Sequence, residues 1–366
     1  MSERREKKRK RSLKSRLIGL LLIAAIILGA GYYYRAVIID VVESLPFTSG
    51  ADRLNYIGHT QKRFATIGTN LVVGSSKGVQ VISKANKKLL TESFEIMSPG
   101  LETDGAYGII YDIGGKIAKV FDKNAVLYTA ESETAIISAD VSERGTAVLA
   151  QDAEGYNGMV SFYAKSGNLQ MQWFSGEAYI MNVKLSPNGK TIAALGITKE
   201  GSRIIFLDAS SGDEIGVYKA DGEILIDIAF KSNSKVSAVG KTKLVSVKKD
   251  GSEAGSYSYD GKVLRRHEFG KSFDILLLSD YQVGDFYSLV TMNGHREIKK
   301  AEVTGNVSAI SIKGWNAAVY SDRSITVYSR SCDVKKTYEN RLGLEGVIYI
   351  GGKIAALGSY YAEILK

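Results

Sequence analysis

Three histidines, one cysteine and a scatter of strand-borne carboxylates are the residues of this chain whose side chains could do chemistry. His59, His267 and His295 stand far apart, with no H-x-x-x-H or H-E-x-x-H spacing, and Cys332 has no potential co-ligand close by in sequence. Zinc and haem-attachment motifs need ligands at such short spacings, so no metal ligand and no cofactor is assigned. Asp140, Asp227, Asp274 and Glu345 lie in or beside alternating apolar stretches. Gathered at one point, such carboxylates could serve as the acid and base of a glycosidase. Apart, they face water or satisfy turn N–H groups. No paired-carboxylate signature joins them, and no catalytic residue is assigned.

The glycine-containing strings read as turns. Gly74-Ser-Ser-Lys-Gly78 matches G-x-S-x-G, but a nucleophile elbow sits between a strand and a helix. Here the alternating run 79–82 follows, so the string closes a hairpin. Gly50-Ala-Asp and Gly114-Gly-Lys fail as phosphate loops because no helix follows them. Segments 152–155 and 208–213 carry too few oxygen ligands in sequence for an EF-hand loop and suit tight turns.

The elements that would position these residues are strands. Alternating runs of four to seven residues are bounded by Gly, Asn, Asp and Ser throughout residues 63–366, and helical periodicity of useful length is absent there. The string Ile-Ala-Ala-Leu-Gly occurs at both 192–196 and 354–358. Short apolar runs centred on Val73, Ile110, Leu149, Ala194, Ala238, Leu278, Ala318 and Ala356 recur at about forty residues, a period of propeller blades. The clearest unit predicts strands at 180–185, 191–196, 203–208 and 214–218, with a Ser186-Pro-Asn-Gly turn after the first. Residues 42–62 form a juxtamembrane segment with one spare strand near Arg53. That strand is predicted to complete the last unit, which ends at 362–366. The expected fold is all-β: a propeller of four-stranded blades, eight by this spacing. A seven-bladed ring with one irregular unit, or a pair of β-sandwiches, is the alternative, and 250–305 is the least regular stretch.

The string SPNGKTIAALG (186–196) resembles the turn and strand of WD40-like, YVTN-like and quinoprotein-like propellers. The whole arrangement resembles an uncharacterised family (a domain of unknown function) of single-span, propeller-bearing surface proteins from Gram-positive anaerobes. The resemblance implies a fold and says little about activity. The Trp-Asp dipeptide of true WD40 blades is absent. Likeness to quinoproteins implies a tryptophan-rich docking motif in each blade and often a vicinal disulfide. With two tryptophans and one cysteine, this chain is not expected to hold a quinone.

The ring is expected to be tethered. Residues 1–16 carry nine Lys/Arg, and 17–34 contain no charge. A helix over 17–41 would reach across a bilayer, with Arg16 and Arg35 at its edges and Tyr32, Tyr33 and Tyr34 in the interfacial belt. The positive-inside rule predicts a cytoplasmic tail and an extracellular ectodomain on the cell membrane. The apolar stretch is longer than a signal-peptide core and lacks a clean cleavage site. Residues 1–41 hold ten Lys/Arg against three Asp/Glu, whereas 42–366 hold 38 against 36. The positive excess therefore belongs to the tail, which argues against nucleic acid as a partner. The lipid bilayer and an envelope or membrane protein are the expected partners. Tyr257, Tyr259, Tyr281 and Tyr287 are candidates for a partner surface, since tyrosine offers both contact area and a hydroxyl. The expected function is a non-catalytic binding or scaffold module. A hydrolase of envelope glycans and a sensor relaying through another membrane protein are the alternatives. Carboxylates converging at the channel mouth would favour the enzyme, and a flat tyrosine-rich or charged rim the binding module.

Overall fold

The computed structural model describes residues 52–59, 61–280 and 284–366. The predicted tail and anchor, with Arg16, Tyr32, Tyr33, Tyr34 and Arg35, lie outside the described residues, as does Tyr281. Among the described residues no helix is long and apolar enough to cross a membrane.

The described chain folds into eight antiparallel four-stranded sheets. Blades 1 to 7 span 63–93, 99–131, 136–174, 179–221, 225–258, 263–304 and 307–338, each an up-and-down run of strands a to d. Blade 8 takes strands a to c from 346–364 and its strand d from Arg53–Asn55 near the other end of the chain. Arg53 pairs with Glu363, Leu54 with Ala362 and Asn55 with Tyr361. The spare strand thus closes the ring, and the last blade keeps no open c-strand edge. Residues 250–305 contain a regular blade, which rules out the seven-bladed count.

Side-chain size follows from position in the blade. The second strands, such as Ala147–Gln151 and Thr191–Ile197, are buried almost throughout. A sheet covered on both faces needs an unbroken apolar strand, and alanines let neighbouring blades approach. The fourth strand of blade 7, Val334–Tyr338, is by contrast largely exposed and polar. A separate apolar core fills each seam between blades. The seam of blades 8 and 1 holds Leu54, Leu71, Val73, Ile82 and Leu357. The Ser-Pro-Asn-Gly turn works through its side chains: the Thr191 N–H donates to Ser186 Oγ at 2.9 Å, and Gly189 takes φ +66°. Thr191 therefore starts strand b in a fixed register.

Strand direction defines two faces. Strand a runs toward the a–b turn, so all a–b and c–d turns share one face; the b–c turns and d–a links share the other. Blade 8 uses Arg53–Asn55 as a strand d, so the chain joins the ring on the a–b face. Its C-terminus lies there too, where Lys366 Nζ meets Asp52 Oδ1 at 2.8 Å.

Candidate functional site

First strands of neighbouring blades contact one another around the axis. On the a–b face, strands a of blades 2 to 6 enclose a cavity of about 590 Å³. They are Pro99–Asp104, Ile136–Val141, Tyr179–Leu185, Leu225–Ser232 and Val263–Phe269. In blades 3 to 6 each of these strands carries a register shift, between Ile136 and Ser138, Ile180 and Asn182, Leu225 and Asp227, and Leu264 and Arg266. A bulge adds one residue and reverses which side chains point to a given side. Asp140, Lys184, Asp227, His267 and Glu268, which these four strands bring to the cavity, all lie at or beyond the shift.

The cavity wall is a chain of ion pairs and hydrogen bonds that crosses blade seams. Ser138 Oγ donates to Asn182 Oδ1 at 2.9 Å, and Asn182 Nδ2 donates to Asp227 Oδ1 at 2.9 Å. Asp227 Oδ2 lies 3.0 Å from His267 Nε2. Lys184 Nζ reaches Glu102 at 2.8 Å and lies 4.0 Å from Asp140 Oδ1, while Asp140 Oδ2 accepts the Leu185 N–H at 2.7 Å. Across the mouth, Lys271 of blade 6 meets Glu143 of blade 3 at 2.8 Å and Asp104 of blade 2 at 3.2 Å.

Enclosure divides these carboxyl groups into two kinds. Burial pushes Asp140 up to about 7 despite the Lys184 charge. Burial also opposes ionisation of Asp227, but the His267 hydrogen bond and Lys184 hold its carboxyl below the usual range. Burial likewise works against charge on Lys184, and Glu102, Asp140 and Asp227 together reverse that and keep it protonated. Glu268 makes no hydrogen bond or ion pair among the described residues. Enclosure first, and then the charges of Asp227 and Glu102, push it up to about 8.

Of the carboxylates singled out in the sequence, Asp140 and Asp227 meet in the cavity. Asp274 is fully buried against Lys231 at 2.6 Å, and Glu345 pairs with Lys62 at 2.9 Å near the blade 8 and blade 1 seam. His267 belongs to the cavity wall, so it is not an isolated histidine. Glu102, Lys184, Glu268 and Lys271 were not singled out. Polar residues recurring in the first strand at the repeat spacing would have pointed to Asp140, Lys184 and Asp227. Among the described residues no group of three or more His, Cys, Asp and Glu is placed to hold a metal ion.

The tyrosine surface needs correction. Tyr259 is 1% exposed in the seam of blades 5 and 6, and Tyr287 is buried in that of blades 6 and 7. Both rings pack against neighbouring blades and are closed to a partner. Tyr257 is half-buried, packs on Tyr259 and donates its hydroxyl to Glu297 at 2.7 Å. The exposed large apolar side chains lie elsewhere. Ile57, Met97, Tyr156, Tyr179, Phe286, Leu342 and Tyr360 are exposed at b–c turns, d–a links or the strand ends beside them. Tyr156 stacks on Phe174 with ring centres 4.9 Å apart. On the a–b face Leu127, Leu169, Trp315 and Val334 are exposed, and Arg330 covers the Trp315 ring at 4.8 Å.

These features define an eight-bladed β-propeller with a charged axial cavity on one face and most of its exposed large apolar side chains on the other. The chain belongs to a family of unknown function, DUF5711, whose model matches residues 51–356. A comparison with curated proteins finds no significant match. Among solved structures, the C-terminal WD40 domain of Sif2 superposes with a TM-score of 0.59 at 12% identity, covering 81% of this chain and 92% of that one. BamB from Moraxella catarrhalis gives 0.56 at 14% identity over 86% and 96%. The computationally designed protein Ika8 gives 0.60 at 12% over 85% and 98%. At such identities the likeness is one of fold.

Proposed function

We propose that this protein is a membrane-anchored extracytoplasmic scaffold whose b–c face docks a protein of the cell envelope. One observation carries the docking reading: exposed aromatic and aliphatic side chains are more numerous on the b–c face than on the a–b face. Exposed apolar side chains gathered on one surface mark an interaction site, and large aromatic side chains dominate the energetics of interface centres. Anchoring and location rest on the apolar stretch 17–41 and the cations before it, through the positive-inside rule. Tyr179→Asp, Phe286→Asp and Tyr360→Asp, made singly in the full chain, are expected to reduce a co-purifying envelope partner at least tenfold (about 1.4 kcal/mol). Trp315→Asp on the other face should leave recovery unchanged. Equal loss from both faces would refute the assignment.

A second reading, an envelope-glycan hydrolase, is favoured by the carboxylates that converge in the cavity. Glu268 keeps its proton where Asp227 keeps its charge, the division that an acid and a base need. It ranks second because both Asp227 oxygens are already engaged by Asn182 and His267. Release of reducing sugar from envelope glycan by the purified chain, abolished in Asp227→Asn, would put it first.

A further inference from the structure

We propose that the axial cavity binds an alkylammonium ion, with Glu268 as the carboxylate that receives it. The proposal is independent of which face docks a partner. It rests on charge, shape and a carboxyl that no described side chain pairs, in one place.

Charge comes first. Carboxyl groups in the cavity wall outnumber lysines two to one: Glu102, Asp104, Asp140, Glu143, Asp227 and Glu268 against Lys184, Lys231 and Lys271. Lys231 is committed to Asp274, which stands behind the wall. Lys184 is shared by Glu102 and Asp140, and Lys271 by Asp104 and Glu143. His267 faces Asp227. Glu268 alone among the six makes no hydrogen bond or ion pair with a described residue. A half-buried carboxyl without a donor from the protein is costly to ionise, and it gains from a cation brought to it.

Shape decides which cation. The described residues offer no cluster of three or more ligating side chains for a metal, and hard metal ions want several oxygen ligands at once. An ammonium group needs one carboxylate, a neighbouring acceptor and an apolar wall for its stem. Phe230 and Phe269 line the same cavity and supply that wall. A volume of about 590 Å³ lies within the range of small-molecule sites.

Linkage gives the signature. Desolvation, Asp227, Glu102 and Asp274 raise the Glu268 pKa, and Arg266 opposes them, for a value of about 8. At pH 7 the carboxyl holds a proton that an arriving ammonium must displace. Binding should therefore release nearly one proton, and affinity should rise about tenfold from pH 6 to pH 7 before levelling off above pH 8. Asp140, near 7 and facing Lys184, adds a background pH dependence that replacing Glu268 leaves in place.

The test is calorimetric titration of the full chain in detergent, with 1,5-diaminopentane in one arm and Nα-acetyl-lysine amide in the other. Running each at pH 7 in two buffers of different ionisation enthalpy counts the protons. Saturable binding with close to one proton released, weakened at least tenfold in Glu268→Gln with that release abolished, is the expected result. Binding of the diamine alone would identify a free amine, and binding of both probes an inserted lysine side chain. No binding of either probe at millimolar concentration, or binding that Glu268→Gln leaves unchanged, would overturn the proposal. Thermal melting of the variant shows that it is folded.

Discussion

Glu268 and Asp140 are held against their preferred ionisation, and that has a measurable sign. Each has a pKa raised above its ordinary value, so the folded chain binds more protons than the unfolded one between that value and the raised one. Stability from these groups therefore falls as pH rises, for Glu268 between its ordinary 4.5 and about 8. Asp227, with its pKa lowered, acts oppositely: its contribution is present above 3.8 and is lost only as pH falls further. Glu268→Gln removes one of the two penalties. It is expected to raise the melting temperature at pH 8 by about 2–4 °C, as 1–2 kcal/mol would in a domain of this size, and to leave it unchanged near pH 4.5. Melting curves across pH 4.5–8 check this; a loss of stability at pH 8 would contradict the penalty. Sequence reasoning found Asp140 and Asp227 but not Glu268 or Lys184. Strand periodicity assigns faces by parity, and the bulges at Ile136/Ser138 and Leu264/Arg266 reverse parity in mid-strand. The buried tyrosines have the same root, since alternation told nothing of which face of the outer strands a neighbouring blade would cover.

At the scale of elements, closure depends on a three-residue strand. Leu54 is fully buried among Leu71, Val73 and Leu357, and Tyr56 donates its hydroxyl to the Tyr361 carbonyl at 3.0 Å. Lys62 meets Glu345 beside the same seam. Leu54→Ala should cost about 2–4 kcal/mol, the price of a cavity in a packed core. Removing residues 50–60 should lower the stability of the whole ring and expose the edge of Tyr361–Ile364 to pairing with other chains. Urea denaturation measures both; a truncated chain that unfolds at the unchanged midpoint would show that the strand does not close the ring. This strand was legible because a blade short of one strand and a spare strand at the other end fit each other. Blade 6 was harder to read. Its first strand, Val263–Phe269, loses apolar alternation because His267 and Glu268 line the axial cavity and Arg265 and Arg266 are exposed.

For the molecule as a whole, the repeat of about forty residues and the alanine-containing second strands made the propeller legible. The distribution of exposed apolar residues was not, because Met97, Tyr179, Phe286 and Tyr360 come from separate blades and share a face only once the ring is built. The two faces differ in chemistry: the charged cavity opens on the a–b face, and most of the exposed large apolar side chains lie on the other, where the proposed docking surface is placed. A photoreactive phenylalanine analogue placed in the full chain in intact cells, at positions 179, 286 and 360 on one face and at 315 and 334 on the other, tests this most directly. The account predicts that the first three positions crosslink to one common envelope protein and the last two do not. Crosslinks confined to positions 315 and 334, or no adduct from any of the five, would contradict it.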